Sequence, residues 1–175
     1  MNDFVIVTDS SCDLPDELVR KLELHVAPLA FIMGDETYHN YPDNREMSPE
    51  EFYNRQKQGQ MATTNAVNVG QAAEVLEPIL QEGRDVLVLA FSSGLSTSYQ
   101  SAEIAAGDLR EQYPDRTILV VDSLCASLGQ GLLAYYACKK RDEGLDLQEL
   151  YQWLLNNRLH LCHWFTVDDL MYLKR

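Results

Sequence analysis

The 175-residue chain has no apolar run approaching the roughly 20 residues that span a bilayer. Its start lacks the basic-then-apolar pattern of a signal peptide. These absences lead us to expect a cytoplasmic protein with no transmembrane segment. Cysteine is sparse and scattered: Cys12, Cys125, Cys138 and Cys162 form no CxxC pair, so zinc and redox motifs are not indicated and free thiols are expected. Positive charge is scarce, with 14 Lys and Arg against 27 Asp and Glu for a net charge of −13. A nucleic-acid partner is thereby excluded, because its phosphates would be repelled.

Familiar catalytic signatures are missing too. No GxSxG elbow surrounds Ser92 or Ser93, and no GxxxxGK[ST] phosphate loop occurs. Gly129-Gln130-Gly131 falls inside a helical pattern and is weak evidence for a dinucleotide. Of the four histidines, His25 lies in an extended apolar run, His39 stands alone, and His160 and His163 are not spaced to share a strand face. Asp168-Asp169 opens a predicted helix, where paired acids oppose the dipole. We therefore expect no metal and no cofactor.

What is present is an ordinary soluble composition, 46% hydrophobic and 23% charged, in a length that makes one domain. Short apolar runs alternate with helical segments, which predicts an α/β fold of three layers around a mostly parallel sheet. Strands are expected at 4–8, 25–33, 85–91, 117–121 and 160–166. Helices are expected from Pro15 (capped by Asp13), from the Ser48-Pro49-Glu50-Glu51 capping box to Gly59, and over 69–81, 98–112, 126–141, 146–157 and 168–174. A turn is expected at Gly34-Asp35 and polar loop over 60–68.

One chemistry recurs at three strand ends. VIVTDSSCDLP (5–15), VLVLAFSSGLSTSYQSAEIAA (86–106) and LVVDSLCAS (119–127) all run from an apolar strand into hydroxyls, and two of them into Asp-Ser. Each segment alone is explained by helix capping. In a parallel sheet, however, the three ends share one edge, the edge where open α/β sheets bind ligands. A helix N-terminus there favours an anion. Capping and a polar pocket stand as equal readings of the pattern.

The residues also resemble a known family. Thr8-Asp9-Ser10 with Asp13-Leu14-Pro15 is similar to the N-terminal signature of the DegV family of bacterial fatty-acid-binding proteins. So are Ala27-Pro28-Leu29, Ser92-Ser93-Gly94-Leu95-Ser96 with Tyr99-Gln100-Ser101-Ala102, Val121-Asp122-Ser123 with Ala126-Ser127, and the ending from Phe165 to Lys174. The resemblance spans the whole chain. It implies an α/β domain of the DegV N-terminal type, related to the dihydroxyacetone-kinase substrate domain. It also implies a long-chain fatty acid, palmitate for example, whose carboxylate is held by a threonine and a serine.

Carried over, those residues are Thr64 and Ser93, with Ser10, Ser92, Ser96 and Ser123 as the supporting pocket. Thr63-Thr64-Asn65-Ala66-Val67-Asn68 departs from the family's Thr-Ser-Gln-Pro-Ser loop after the threonine, and Thr97 replaces a usual glycine. The family continues past the position of Arg175 into a second domain, so residues 1–175 are expected to be the first domain alone, in a shortened chain or a one-domain relative. The resemblance further implies presentation of the acid to a fatty acid kinase, without catalysis by this chain. The alternative is an enzyme, either a serine hydrolase or a dihydroxyacetone-kinase-type phosphotransferase. Both would need a histidine in the pocket, and none is expected at a strand end beside Ser93.

Overall fold

The structure, a computed structural model, describes residues 4–167. Its centre is a four-stranded parallel sheet in the order β2-β1-β6-β7, built from His25–Ala27, Phe4–Asp9, Asp85–Ala90 and Ile118–Asp122. Strands β1 and β6 are buried on both faces, which is why they read as unbroken apolar runs rather than alternating ones. On one face Val5, Val7, Val86 and Val88 pack against α3 (Val69–Gln81) and α4 (Ser98–Gln112). On the other face Phe4, Ile6, Leu87 and Leu89 pack against α1 (Asp16–Lys21), α5 (Leu128–Asp142) and α6 (Leu147–Asn157). The result is the expected three-layer α/β fold.

Among the described residues, local side-chain chemistry explains the starts of three of the six α-helices. Asn68 and Asp146 each complete a capping box, with Gln71 and Glu149. Ser48 caps α2 (Pro49–Lys57) by accepting from the Glu51 amide, with Pro49 just inside. The box is half-made there, because the Glu51 carboxylate turns to Arg55 instead.

The structure corrects several sequence expectations. The run 25–33 is two strands, since Pro28 has no N–H to continue a ladder. Strand β2 ends at Ala27, and β3 (Leu29–Met33) leaves for a second sheet. That sheet is antiparallel, in the order β4-β3-β5, with β4 at Glu36–Asn40 and β5 at Ala62–Asn65. Segment 60–68 is therefore not all loop. Strand β5 is an exposed edge strand whose polar residues hide it from any search for apolar runs.

Asp13 does not cap α1. It sits in the left-handed region at φ 52°, just after a short 3-10 turn (Ser10–Cys12), and Pro15 occupies the cap position. No strand forms at 160–166: Arg158–His160 is a 3-10 turn and the chain beyond it is irregular to residue 167, with Trp164 and Phe165 exposed. The helix expected at 168–174 lies outside the described residues. Leu128, Leu132 and Tyr136, spaced four apart, leave an exposed apolar stripe along α5.

Candidate functional site

Strand β6 lies between β1 and β7, and each flanking strand ends in an aspartate. The Asp9 carboxylate accepts the Phe91 amide at 2.9 Å. Asp122 accepts the Ser93 and Leu124 amides on Oδ1, both at 3.1 Å, and the Ser93 hydroxyl on Oδ2 at 2.5 Å. The turn from Phe91 toward α4 is thus pinned from both sides, and backbone groups that no ladder can reach are satisfied.

The neighbouring hydroxyls divide the remaining work. Ser92 Oγ accepts the Gly94 amide at 3.3 Å. Ser98 Oγ accepts the Val67 amide at 3.3 Å, tying α4 to the segment before α3. Ser123, fully buried, accepts the Cys125 amide at 3.1 Å and donates to the Cys125 carbonyl at 3.3 Å. Thr97 makes no capping bond with its side chain.

Above this edge, between the parallel sheet and the antiparallel one, lies a cavity of ≈730 Å³, within the 300–1,000 Å³ range of ligand sites. The turn after β1 forms one wall, β3 and the end of β5 a second, and the segment running from β4 into α2 a third. Leu14, Phe31, Met47 and Phe52 give it an apolar lining, with Phe52 set edge-on to Phe31 at 5.3 Å between ring centroids. Register places Thr64 opposite Phe31 on the neighbouring strand.

Three of the predicted hydroxyls reach this cavity: Ser10, Thr64 and Ser96. Ser92, Ser93 and Ser123 are not among its lining residues, their hydrogen bonds being spent on the turn and the β7 end. Among the described residues the Thr64 hydroxyl has no hydrogen-bond partner. Ser10 Oγ accepts the Leu29 amide at 2.9 Å and keeps its own proton. Ser96 and Ser98 share a hydrogen bond at 3.0 Å. Ser98 is almost wholly buried and its oxygen already accepts the Val67 amide; donation from Ser98 to Ser96 is the direction that also pairs the buried Ser98 proton, and it leaves the Ser96 proton for the cavity. Three elements far apart in sequence thus present three hydroxyl donors.

Sequence reasoning missed the carboxyl on this wall. Asp13 lines the cavity and accepts the Ser127 hydroxyl at 2.5 Å. Both residues hold positive φ, 52° and 50°, without being glycine, a strain kept only where the surroundings over-determine it. Asp13 is open on its cavity side but crowded by protein elsewhere. That desolvation raises its pKa; the Ser127 bond lowers it, and repulsion from Asp9 raises it again. Burial is also the main reason the Cys12 thiol is pushed up to about 11, with Asp9 and Asp13 adding to it. Among the described residues no Lys, Arg or His lines the cavity, and none form a metal-holding cluster. The bond between Ser127 and Asp13 joins positions 114 apart, so no local pattern announces it.

A family model described as an uncharacterised protein of the DegV family matches residues 3–175. A DegV domain-containing protein of Clostridium perfringens is 42% identical over 175 residues, covering all of this chain and 60% of that protein. One of Lactococcus lactis is 37% identical over 172 residues, covering 98% and 59%. The chain therefore spans about 60% of the length of the curated relatives it matches. Among solved structures, a fatty-acid-binding DegV family protein of Thermus thermophilus superposes with a TM-score of 0.78 at 31% identity, over 90% of this chain and 54% of that one. A stearic-acid-binding protein of Eubacterium ventriosum gives 0.78 at 28%, over 86% and 52%.

Proposed function

The chain belongs to the DegV family, and from that premise we propose that it binds a long-chain fatty acid in the cavity between its two sheets. The observation that carries the reading is the cavity's division of labour: an aromatic and aliphatic lining beside three hydroxyls whose protons are uncommitted. The tail supplies most of the affinity, about 0.8 kcal/mol for each buried methylene, and the hydroxyls fix the head.

In this reading Thr64 meets the head group directly, with Ser10 and Ser96 beside it. Ser93 takes part through the turn. Standing between Phe91 and Leu95 of the wall and held by Asp122, it sets where Ser96 is presented. The reading extends to a carrier role, in which the head at the half-open mouth is offered to a fatty acid kinase and this chain does no chemistry itself. The Ser93 hydroxyl does donate to Asp122 Oδ2, but Ser93 is not among the residues that line the cavity, and that placement supports the non-catalytic reading.

Native mass spectrometry of freshly purified protein tests the reading. A co-purified, non-covalent mass of a long-chain acid is expected. A covalent acyl adduct on a serine would instead make the protein a hydrolase.

A further inference from the structure

Gly129-Gln130-Gly131, weak as a nucleotide motif, serves a different purpose in the fold. At Gly131 the turn after β1 crosses α5 so closely that a Cβ would overlap the Cys12 carbonyl oxygen. Between the two glycines, Gln130 is fully buried. Burying an amide costs stability unless its polar atoms are paired, and this one is paired at both ends. Its Nε2 donates to Thr8 Oγ1 on β1 at 2.9 Å, and its Oε1 accepts the Ser11 hydroxyl at 3.0 Å. Thr8 gives its single hydroxyl proton to the Leu89 carbonyl at 2.7 Å. Toward Gln130 it can therefore only accept, which fixes which way round the amide stands. The bonds run in one direction, from Ser11 through Gln130 and Thr8 to β6.

Ser11 is the end of this chain of bonds that lines the cavity. Its hydroxyl faces a second acceptor, Asp9 Oδ1, which also takes the Ser11 amide at 3.1 Å, while Oδ2 takes the Phe91 amide. One hydroxyl proton thus stands between the Asp9 carboxylate and the Gln130 amide. We propose that Gln130 is a positioning residue of the cavity: from behind the wall it holds the Ser11 hydroxyl, and with it the turn that presents Ser10 and Asp13. Through Ser10 Oγ, which accepts the Leu29 amide, that hold extends from α5 to the first residue of β3. This rests on the fatty-acid reading above and deepens it, by adding Gln130 and Ser11 to the residues that shape the site. The role can be isolated from stability. With methionine at position 130, Thr8 still donates to Leu89 and Ser11 still donates to Asp9, so neither hydroxyl proton is orphaned.

The test is a double-mutant cycle on the 175-residue chain, read by calorimetric titration with myristic acid at a temperature where every variant is folded. Gln130→Met fills a similar volume and should weaken binding about fivefold, the scale of one neutral hydrogen bond, with little change in melting temperature. Ser11→Ala should weaken binding by at least as much. The double variant should bind no more weakly than Ser11→Ala alone, because Gln130 acts through Ser11. Thr8→Val matches the shape of a residue outside the cavity lining; it removes the far anchor of the amide and should weaken binding in the same direction. Hydrogen exchange adds a readout that needs no ligand. In Gln130→Met the Leu29 amide, held by Ser10 Oγ, and the Asp13 amide, held by the Ser10 carbonyl, should exchange several-fold faster, while the amides of α3 keep their protection.

Gln130→Met binding at the parent's strength, losses that add in the double variant, or unchanged exchange at Leu29 and Asp13 each overturn the proposal while leaving the fatty-acid reading intact. If Gln130→Met does not fold, Thr8→Val takes its place, and unchanged binding or unchanged exchange in that variant overturns the proposal. A parent chain that binds no myristic acid overturns the fatty-acid reading, and the exchange comparison then decides by itself whether Gln130 holds the turn.

Discussion

The Ser93 hydroxyl is committed to Asp122: Oγ donates to Oδ2 over 2.5 Å, while Oδ1 of the same carboxylate takes the Ser93 and Leu124 amides. The two oxygens thus do separate jobs. One holds backbone, and the other fixes the direction of a hydroxyl proton.

That separation makes Asp122→Asn and Asp122→Ala different experiments. The asparagine carbonyl can retain both amides, and its NH2 can donate to Ser93 Oγ, reversing that bond and releasing the Ser93 proton. Alanine loses all three bonds to a charged acceptor. We expect Asp122→Asn to cost less than about 1 kcal/mol and Asp122→Ala about 3 kcal/mol, read from urea unfolding. Equal losses would mean that the carboxylate's charge, not its geometry, holds the turn.

Thr64→Val removes a hydroxyl that no described protein group uses and keeps the β-branched shape that suits strand β5. Stability should stay within about 0.5 kcal/mol. Binding of a long-chain acid should weaken by about 1.5–3 kcal/mol, the scale of one hydrogen bond to a charged group. Calorimetry on the variant checks both at once, and a loss of stability without a loss of binding would remove Thr64 from the site.

At Gly131 on α5 the turn after β1 lies directly against the helix. A Cβ there would overlap the Cys12 carbonyl oxygen and stand 2.9 Å from Leu14 Cδ2. Gly131→Ala must push back the turn that carries Ser10 and Asp13, at a cost of about 1–3 kcal/mol. Ligand binding should fall together with the melting temperature. Unchanged binding would show that the turn's position does not shape the cavity.

Cys12 and Cys138 are buried thiols whose pKa desolvation raises from 9.0 to about 11. Because the folded pKa is the higher, the unfolded chain ionises first as pH rises. Stability is therefore fully present below pH 9 and is lost between pH 9 and 11, by about 1.4 kcal/mol per pH unit for each thiol. Denaturant unfolding across that range should show a loss of about 5 kcal/mol, and Cys138→Ala should reduce the slope by about half. An unchanged slope in the variant would contradict the assignment. Exposed Cys162 should react with iodoacetamide at pH 8 while these two stay protected.

The parallel half of the fold was legible because β1, β6 and β7 carry their burial in their composition and Asn68 and Asp146 mark helix starts locally. The antiparallel half was not. Strand β5 is Ala62-Thr63-Thr64-Asn65, polar and mostly exposed, and its evidence is the pairing with β3 some 30 positions away. The site shows the same division. A shared strand edge drew attention to the hydroxyls, yet which of them face the cavity depends on hydrogen bonds made elsewhere. Ser93 and Ser123 look equivalent to Ser96 and Ser10 in sequence, and only Asp122 and Cys125 set them apart.

In the proposed reading the ligand's tail lies between the two sheets, against Phe31, Met47 and Phe52. Isotope-edited NOE spectra of the chain with uniformly 13C-labelled myristic acid test it most directly. The account predicts cross-peaks from tail methylenes to Phe31, Met47 and Phe52. Cross-peaks to the exposed Leu128, Leu132 and Tyr136 stripe of α5 instead, or to no residue at all, would contradict it.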